Sequence, residues 1–232
     1  MRPFTLFLPV YNEEDILEQK VGDLLVYLSS LETLFEIIIV SNGSTDDTVL
    51  LGEKIARRHS QVKFFQLPQR GVGRAFKKGF SESRYDHIIF MDADLSADLS
   101  FIEKSNQLLE KNVLVLGAKI KGLQNRGIIR KLGSAVFYFS VLALMGLKYV
   151  DYAPGAKAYR RDFLRRHSEY IDDFTSFVLN LTFIAAMKKD QIIEIPIACN
   201  DRRPSRFNLF HEALSKYNGL LGLKFRQIFG KL

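Results

Sequence analysis

The sequence has one cysteine, Cys199, and four histidines, none of them close together. A lone cysteine excludes a disulfide framework and a cysteine-based zinc site, and it fits a reducing compartment. Scattered histidines argue against a histidine-rich metal site. Internal repeats, low-complexity tracts and Pro/Gly/Ser linkers are also missing. The opening MRPFTLFLPVYNEE carries no long apolar run behind its basic residue, so no signal peptide is expected. A membrane-crossing helix needs about 20 apolar residues. The uncharged stretch Leu132–Leu147 has only 16 and would span roughly 24 Å as a helix.

The rest of the composition is that of a folded chain. Its 232 residues are 47% hydrophobic and 25% charged, which supports a buried core in one large domain or two small ones and argues against disorder. The net charge of +7 is unevenly divided. Residues 1–118 hold 13 Lys/Arg against 17 Asp/Glu, whereas residues 119–232 hold 20 against 9. The second half therefore presents either a solvated basic face or a surface for an anionic partner. Nucleic acid is set aside, because the basic half has neither an aromatic-lined sheet motif nor a recognition helix.

Short apolar runs at Phe4–Leu8, Glu36–Val40, Val62–Gln66, His87–Met91 and Val113–Gly117 read as buried strands. Between them lie helical patterns: the stripe Leu17, Val21, Leu24, Leu25 and Leu28, then Thr48–Arg58, Val72–Ser83 and Leu99–Lys111. This alternation predicts an α/β fold, a mainly parallel sheet flanked by helices, with ligands at the carboxyl ends of the strands. Farther on, Asp172–Lys189 reads as a helix and Gln191–Ala198 as a strand. Leu132–Leu147, bracketed by Arg130, Lys131 and Lys148, reads as a buried helix or one lying in a membrane interface. Residues 208–232 read as a basic amphipathic segment.

Four polar motifs fall where strands end. Asp92-Ala93-Asp94 follows Ile88–Met91. Two carboxylates two residues apart on extended chain point to one side and call for a cation, and their hard oxygens suit Mg2+ or Mn2+. The plain alternative is a helix start capped by Ser96 or Asp98. LPVYNEE at 8–14 offers an aromatic turn for a nucleobase, or a helix capped by Asn12 with Glu13, Glu14 and Asp15 in its first turn. VSNGSTDDT at 40–48 sets Asn42 or Asp46 toward a ribose, or again caps a helix. Arg70-Gly71-Val72-Gly73-Arg74 can offer backbone N–H groups and the Arg74 charge to phosphate. It lacks the Lys-Ser/Thr of a P-loop and the third glycine of a dinucleotide fingerprint.

Taken in order, LPVYNEE, NGSTDDT, RGVGRAFKKGF, MDADLSAD, LGAK at 116–119 and DYAPGAKAYRRDFL at 151–164 resemble the family-two inverting glycosyltransferases with a GT-A fold. Within that family the likeness is to the polyprenyl-phosphate hexosyltransferases of the dolichol-phosphate mannose synthase type, over about residues 4–207. The resemblance implies a glycosyltransferase domain at 1–207, with a nucleotide-sugar half (1–118) and an acceptor half (119–207). It implies that Pro9, Tyr11, Glu13, Asn42, Arg74, Asp92, Ala93 and Lys119 meet the nucleotide sugar. Asp92, Asp94 and Ser96 would hold Mg2+ or Mn2+, and Asp94 and Arg202 would act in catalysis. Asp151, Gly155, Lys157 and Arg206 would meet the acceptor phosphate. The expected partners are a nucleotide-diphosphate sugar, with GDP-mannose favoured over UDP-glucose, and dolichyl or polyprenyl phosphate. A membrane surface is expected on the cytoplasmic side, reached peripherally or through a separate anchoring subunit.

Three departures from the family pattern stand out. Ser41-Asn42 occupies the place of Asp-Asp, Ser205-Arg206 comes two residues early, and C-terminal transmembrane helices are not expected from these residues. Two alternatives stay open: a transferase of the same fold with a sugar hydroxyl as acceptor and Asp151 as its base, and a non-catalytic relative that binds a sugar nucleotide or lipid.

Overall fold

Strands buried on both faces read as near-continuous apolar runs, and those runs build the centre of this molecule. The computed structural model describes residues 1–121, 128–200 and 209–230. In chain order its elements are β1 (Phe4–Val10), α1 (Leu17–Ser29), β2 (Phe35–Asn42), α2 (Thr48–Arg58), β3 (Val62–Leu67), α3 (Val72–Ser81), β4 (His87–Phe90), α4 (Ser100–Leu108), β5 (Leu114–Lys121), α5 (Ile128–Met145), β6 (Lys157–Arg160), α6 (Arg161–Arg166), α7 (Phe177–Met187), β7 (Ile192–Ala198) and α8 (Leu209–Ile228). Seven strands form one sheet in the order β3-β2-β1-β4-β6-β5-β7. Pairings are parallel except those of β6, which runs against β4 and β5. The chain passes from β1 toward β2 on one side and later enters β4 on the other. That change of direction opens a crevice at the carboxyl ends of β1 and β4.

The period of two along each strand divides the core between the sheet's faces. Phe7 and Phe90 join Phe76 of α3, Tyr159 of β6 and Phe177 of α7, with ring centroids 5.0–5.6 Å apart for neighbouring pairs. Leu6 and Leu8 point the other way, toward Val21, Leu24 and Leu28 of α1 and Phe101 and Ile102 of α4. Each such side chain, fully buried, contributes about 1.5–3 kcal/mol.

The α/β reading and its mainly parallel sheet hold, with two local corrections. The four-residue strand β6 was not expected: Lys157-Ala158-Tyr159-Arg160 has charge at both ends and no apolar run. The helix expected over Asp172–Lys189 starts only at Phe177. The main chain ahead of it is used elsewhere, as the Asp173 carbonyl accepts the N–H groups of Gly73 and Arg74 at the start of α3. Helix α5 is not enclosed by the core. Val141 is buried, but Phe139 is 64% exposed, and α8, which packs on α5, exposes Phe225 by 61%. Among the described residues no helix is long and apolar enough to cross a membrane.

Candidate active site

The loops after β1, β2 and β3 meet through side chains. Asn12 does not cap α1, which begins at Leu17. It sits at φ 53° and bonds the turn after β2: its Oδ1 accepts the Thr45 N–H at 2.8 Å, and its Nδ2 donates to Thr45 Oγ1 at 3.2 Å. The Glu13 N–H donates to Thr48 Oγ1 at 2.8 Å. Pro9 lies within β1, paired with Val40. The Tyr11 ring is covered on one face by the Arg70 guanidinium, 4.1 Å from its centroid. Asn42 is buried, and its Oδ1 accepts the Gly71 N–H at 2.5 Å, fastening the β2 turn to the start of α3.

The segment 70–74 does not present an open row of N–H groups. Gly73 and Arg74 donate theirs to the Asp173 carbonyl at 3.1 and 3.3 Å. A Cβ on Gly71 would lie 2.6 Å from that oxygen, and one on Gly73 would lie 2.0 Å from the Asp172 oxygen. These glycines therefore let two backbones touch. Arg74 is ion-paired with Asp173 at 2.8 Å, so the phosphate role read for Arg74 has a structural competitor. Asp173 was not singled out in the sequence, since its partners lie about 100 residues upstream.

Asp92, Ala93 and Asp94 follow β4. Ala93 is buried, and Asp94 Oδ1 accepts the Ser96 N–H at 3.0 Å. The Ser96 carbonyl accepts the Asn200 N–H at 2.8 Å, and its hydroxyl lies 3.8 Å from Cys199 Sγ. Asp92 turns to Lys119 at the end of β5, with Oδ2 2.9 Å from Nζ. The structure thus sets a lysine ammonium where the sequence reading gave Asp92 an ion. Gly155 presses on the same carboxylate: a Cβ there would fall 2.1 Å from Asp92 Oδ2.

Behind this pair lies a run of alternating charge. Asp151 accepts the Lys119 main-chain N–H at 3.3 Å and the Ala153 N–H at 2.9 Å. Burial raises its carboxyl, but Lys157 and Lys119 outweigh that and hold it below the usual range. For Lys119 burial works downward, yet Asp92 and Asp151 raise it above the ordinary lysine value. Lys157 has no exposed surface, and its ammonium donates to the carbonyls of Gly117 and Gly155 at 3.0 and 3.1 Å. Burial lowers its pKa, and Asp151 opposes the shift. In this structure Lys157, expected to meet the acceptor phosphate, pins the 155 loop from below. Glu194, which the sequence reading passed over, accepts the N–H groups of Val150 and Asp151. The one signal for it was a carboxylate within the apolar strand Ile192–Ala198.

Arg202 and Arg206 lie outside the described residues. Among the described residues no cluster of three His, Cys, Asp or Glu forms a cage for a metal. Hard oxygen donors at Asp94 and Ser96 do fit a magnesium-type ion, which commonly takes one or two carboxylates and fills its shell with water and substrate phosphate.

Comparison with known proteins bears on the family and the fold. The family model described as Glycosyl transferase family 2 matches residues 5–168. The chain is 25% identical over 225 residues to a dolichyl-phosphate beta-glucosyltransferase, ALG5C, of Trichomonas vaginalis, an alignment covering 88% of this chain and 66% of that protein. It is 27% identical over 212 residues to an undecaprenyl-phosphate 4-deoxy-4-formamido-L-arabinose transferase of Pseudomonas fluorescens, covering 87% of this chain and 60% of that protein. The chain thus spans less than two thirds of the length of these two relatives. The crystal structure of glucosyl-3-phosphoglycerate synthase from Mycobacterium tuberculosis with phosphoglyceric acid matches it with a TM-score of 0.69 at 21% identity, covering 95% of this chain and 79% of that one. At that identity the likeness is one of fold.

Proposed function

The chain belongs to glycosyl transferase family 2, and on that footing we propose that it moves a hexose from a nucleotide-diphosphate sugar to a polyprenyl monophosphate. The observation that carries this reading is the Asp92–Lys119–Asp151 chain at the carboxyl ends of β4 and β5, beside the crevice where such a sheet takes its ligand. A phosphate monoester has a second pKa near 6, so at neutral pH its oxygen attacks without a side-chain base. A sugar hydroxyl needs one. Asp151 is a poor base, because its pKa is held down and its two oxygens each accept a main-chain N–H. That contrast favours the phosphate acceptor over the hydroxyl.

In the reaction, the acceptor phosphate oxygen forms a bond to the anomeric carbon as the bond to the diphosphate breaks, inverting the centre. Tyr11 and the Asn42 turn border the nucleotide, with Arg70 stacked on Tyr11. Asp94 and Ser96 are the residues that would hold Mg2+ or Mn2+. When bound, such an ion offsets the charge that develops on the leaving diphosphate. Lys119 orients Asp92 at the same edge. The MDADLS run favours mannose as the sugar, whereas the relatives named above carry glucose and formamido-arabinose in their names. The exposed apolar side chains of α5 and α8, with basic residues such as Lys216 and Lys224 among them, support seating at an anionic membrane surface.

The test is transfer from a panel of radiolabelled sugar nucleotides to a short polyprenyl phosphate, with soluble sugars as competing acceptors, with and without chelator. Label in the lipid phase that is lost with chelator and in Asp94→Ala is the expected result. Transfer to soluble sugars alone refutes the acceptor, and chelator-resistant transfer refutes the ion.

A further inference from the structure

Glu194 stands on the edge strand β7, inside an otherwise apolar run, and the chemistry above does not use it. A carboxylate there is expensive to desolvate, so its bonds should explain its presence. Its Oε1 accepts two main-chain N–H groups, from Val150 at 2.8 Å and Asp151 at 3.2 Å. These two residues open the loop that leads to Gly155 and β6. The Asp151 side chain, fixed at its root by Glu194, turns to the Lys119 N–H, and Lys119 reaches Asp92. Five groups, from the turn after β4, from β5, β6 and β7, and from this loop, thus alternate in sign: Asp92, Lys119, Asp151, Lys157 and Glu194. Burial raises the Glu194 carboxyl, while the two N–H bonds and Lys157 work against that rise.

We infer that Glu194 is a positioning residue of the transfer site: by gripping the Val150 and Asp151 amides it holds the Asp151 carboxylate between Lys119 and Lys157. The activity arm of this inference rests on the transferase reading, and the structural arm does not. Glutamine retains an oxygen that can accept both N–H groups, so the role needs the acceptor atom more than the charge. Aspartate retains the charge but withdraws the oxygens by about 1.5 Å.

The experiment uses the full chain and five variants: Glu194→Ala, Glu194→Asp, Glu194→Gln, Asp151→Asn, and Asp151→Asn combined with Glu194→Ala. Glu194→Ala and Glu194→Asp are expected to lower kcat on the order of 10- to 100-fold, the scale at which an ångström of misplacement within a site is felt, with the donor KM little changed. Glu194→Gln is expected to stay within about threefold of the parent. Asp151→Asn combined with Glu194→Ala should lose no more than Asp151→Asn alone, as for two residues acting through one. Amide hydrogen exchange at Val150 and Asp151 should quicken in the Ala and Asp variants and not in Gln. Losses that multiply with Asp151→Asn, a loss carried by the donor KM, or unchanged exchange in the Ala and Asp variants overturn the inference. Should Glu194→Ala not fold, the milder Asp and Gln pair carries the same comparison. If the parent protein transfers no sugar, the transferase reading fails, and the exchange data still decide whether Glu194 holds Asp151.

Discussion

Substituting Gly155 by alanine tests the heart of the site with one methyl group. Gly155 has φ +90°, where side chains are strained, and its new Cβ would stand 2.1 Å from Asp92 Oδ2 and 2.6 Å from Cγ. Two effects follow. Holding a non-glycine residue in that backbone region costs about 1–3 kcal/mol. For a chain of this size each kcal/mol lowers Tm by about 2–4 °C, so a fall of roughly 2–12 °C is expected. Separately, the Asp92 carboxylate is the end of a rotatable side chain with 34% exposure, so it swings away rather than resisting. Moving it by the ångström or so that relieves the overlap breaks its 2.9 Å contact with Lys119. A displacement of that size at a reacting centre costs as much as about 100-fold in rate. Transfer of radiolabel into lipid and thermal unfolding separate the two effects. In an Asp92→Ala background, Gly155→Ala should still lower Tm but remove little further activity. The reasoning is refuted if Gly155→Ala transfers sugar within about twofold of the parent, or if its rate loss persists in full without Asp92.

Three further outcomes are expected. Glu36 is buried and receives the Thr5 hydroxyl, the Arg84 N–H and the Lys63 ammonium. Glu36→Ala orphans these groups and should cost about 3 kcal/mol in urea unfolding, toward the lower end of buried-pair losses because Lys63 is partly solvated; a loss below about 1 kcal/mol refutes the ledger. Burial raises the Glu36 and Asp151 carboxyls, but their bonded and charged partners win and hold both below their ordinary values. The stability they contribute is complete above the unfolded pKa near 4 and is lost as pH falls through the folded values, whereas Glu194, raised by burial, works in the opposite sense as pH rises. Asp151→Asn should therefore flatten the fall of Tm below pH 4, and an unchanged slope contradicts this. Finally, Phe139 of α5 and Phe225 of α8 are more than half exposed; replacing both by serine should weaken sedimentation with anionic vesicles about 10-fold, and equal binding argues against these helices as the seat.

The strands β1 to β5 were legible because a strand buried on both faces must be apolar at nearly every position, and such runs stand out between helical patterns. Asp92 and Asp94 stood out as candidates for a related reason, since they are paired carboxylates directly after an apolar run. Strand β6 was not legible: Lys157 is polar in sequence and becomes a core residue only because the Gly117 and Gly155 carbonyls receive its ammonium. The partners of the 70–74 turn were hidden for a similar reason. Nothing local says that the Asp172 and Asp173 carbonyls will occupy the glycine-rich turn.

Periodicity, composition and motif order, all local properties of the chain, determined the fold class and the family to which the chain belongs. The tertiary structure alone decided the partners of each charged group: that Asp92 meets Lys119, that Arg74 meets Asp173, and that Lys157 is sealed from solvent. Coulomb energy depends on distance and on the surrounding medium, and folding sets both for residues far apart in the chain.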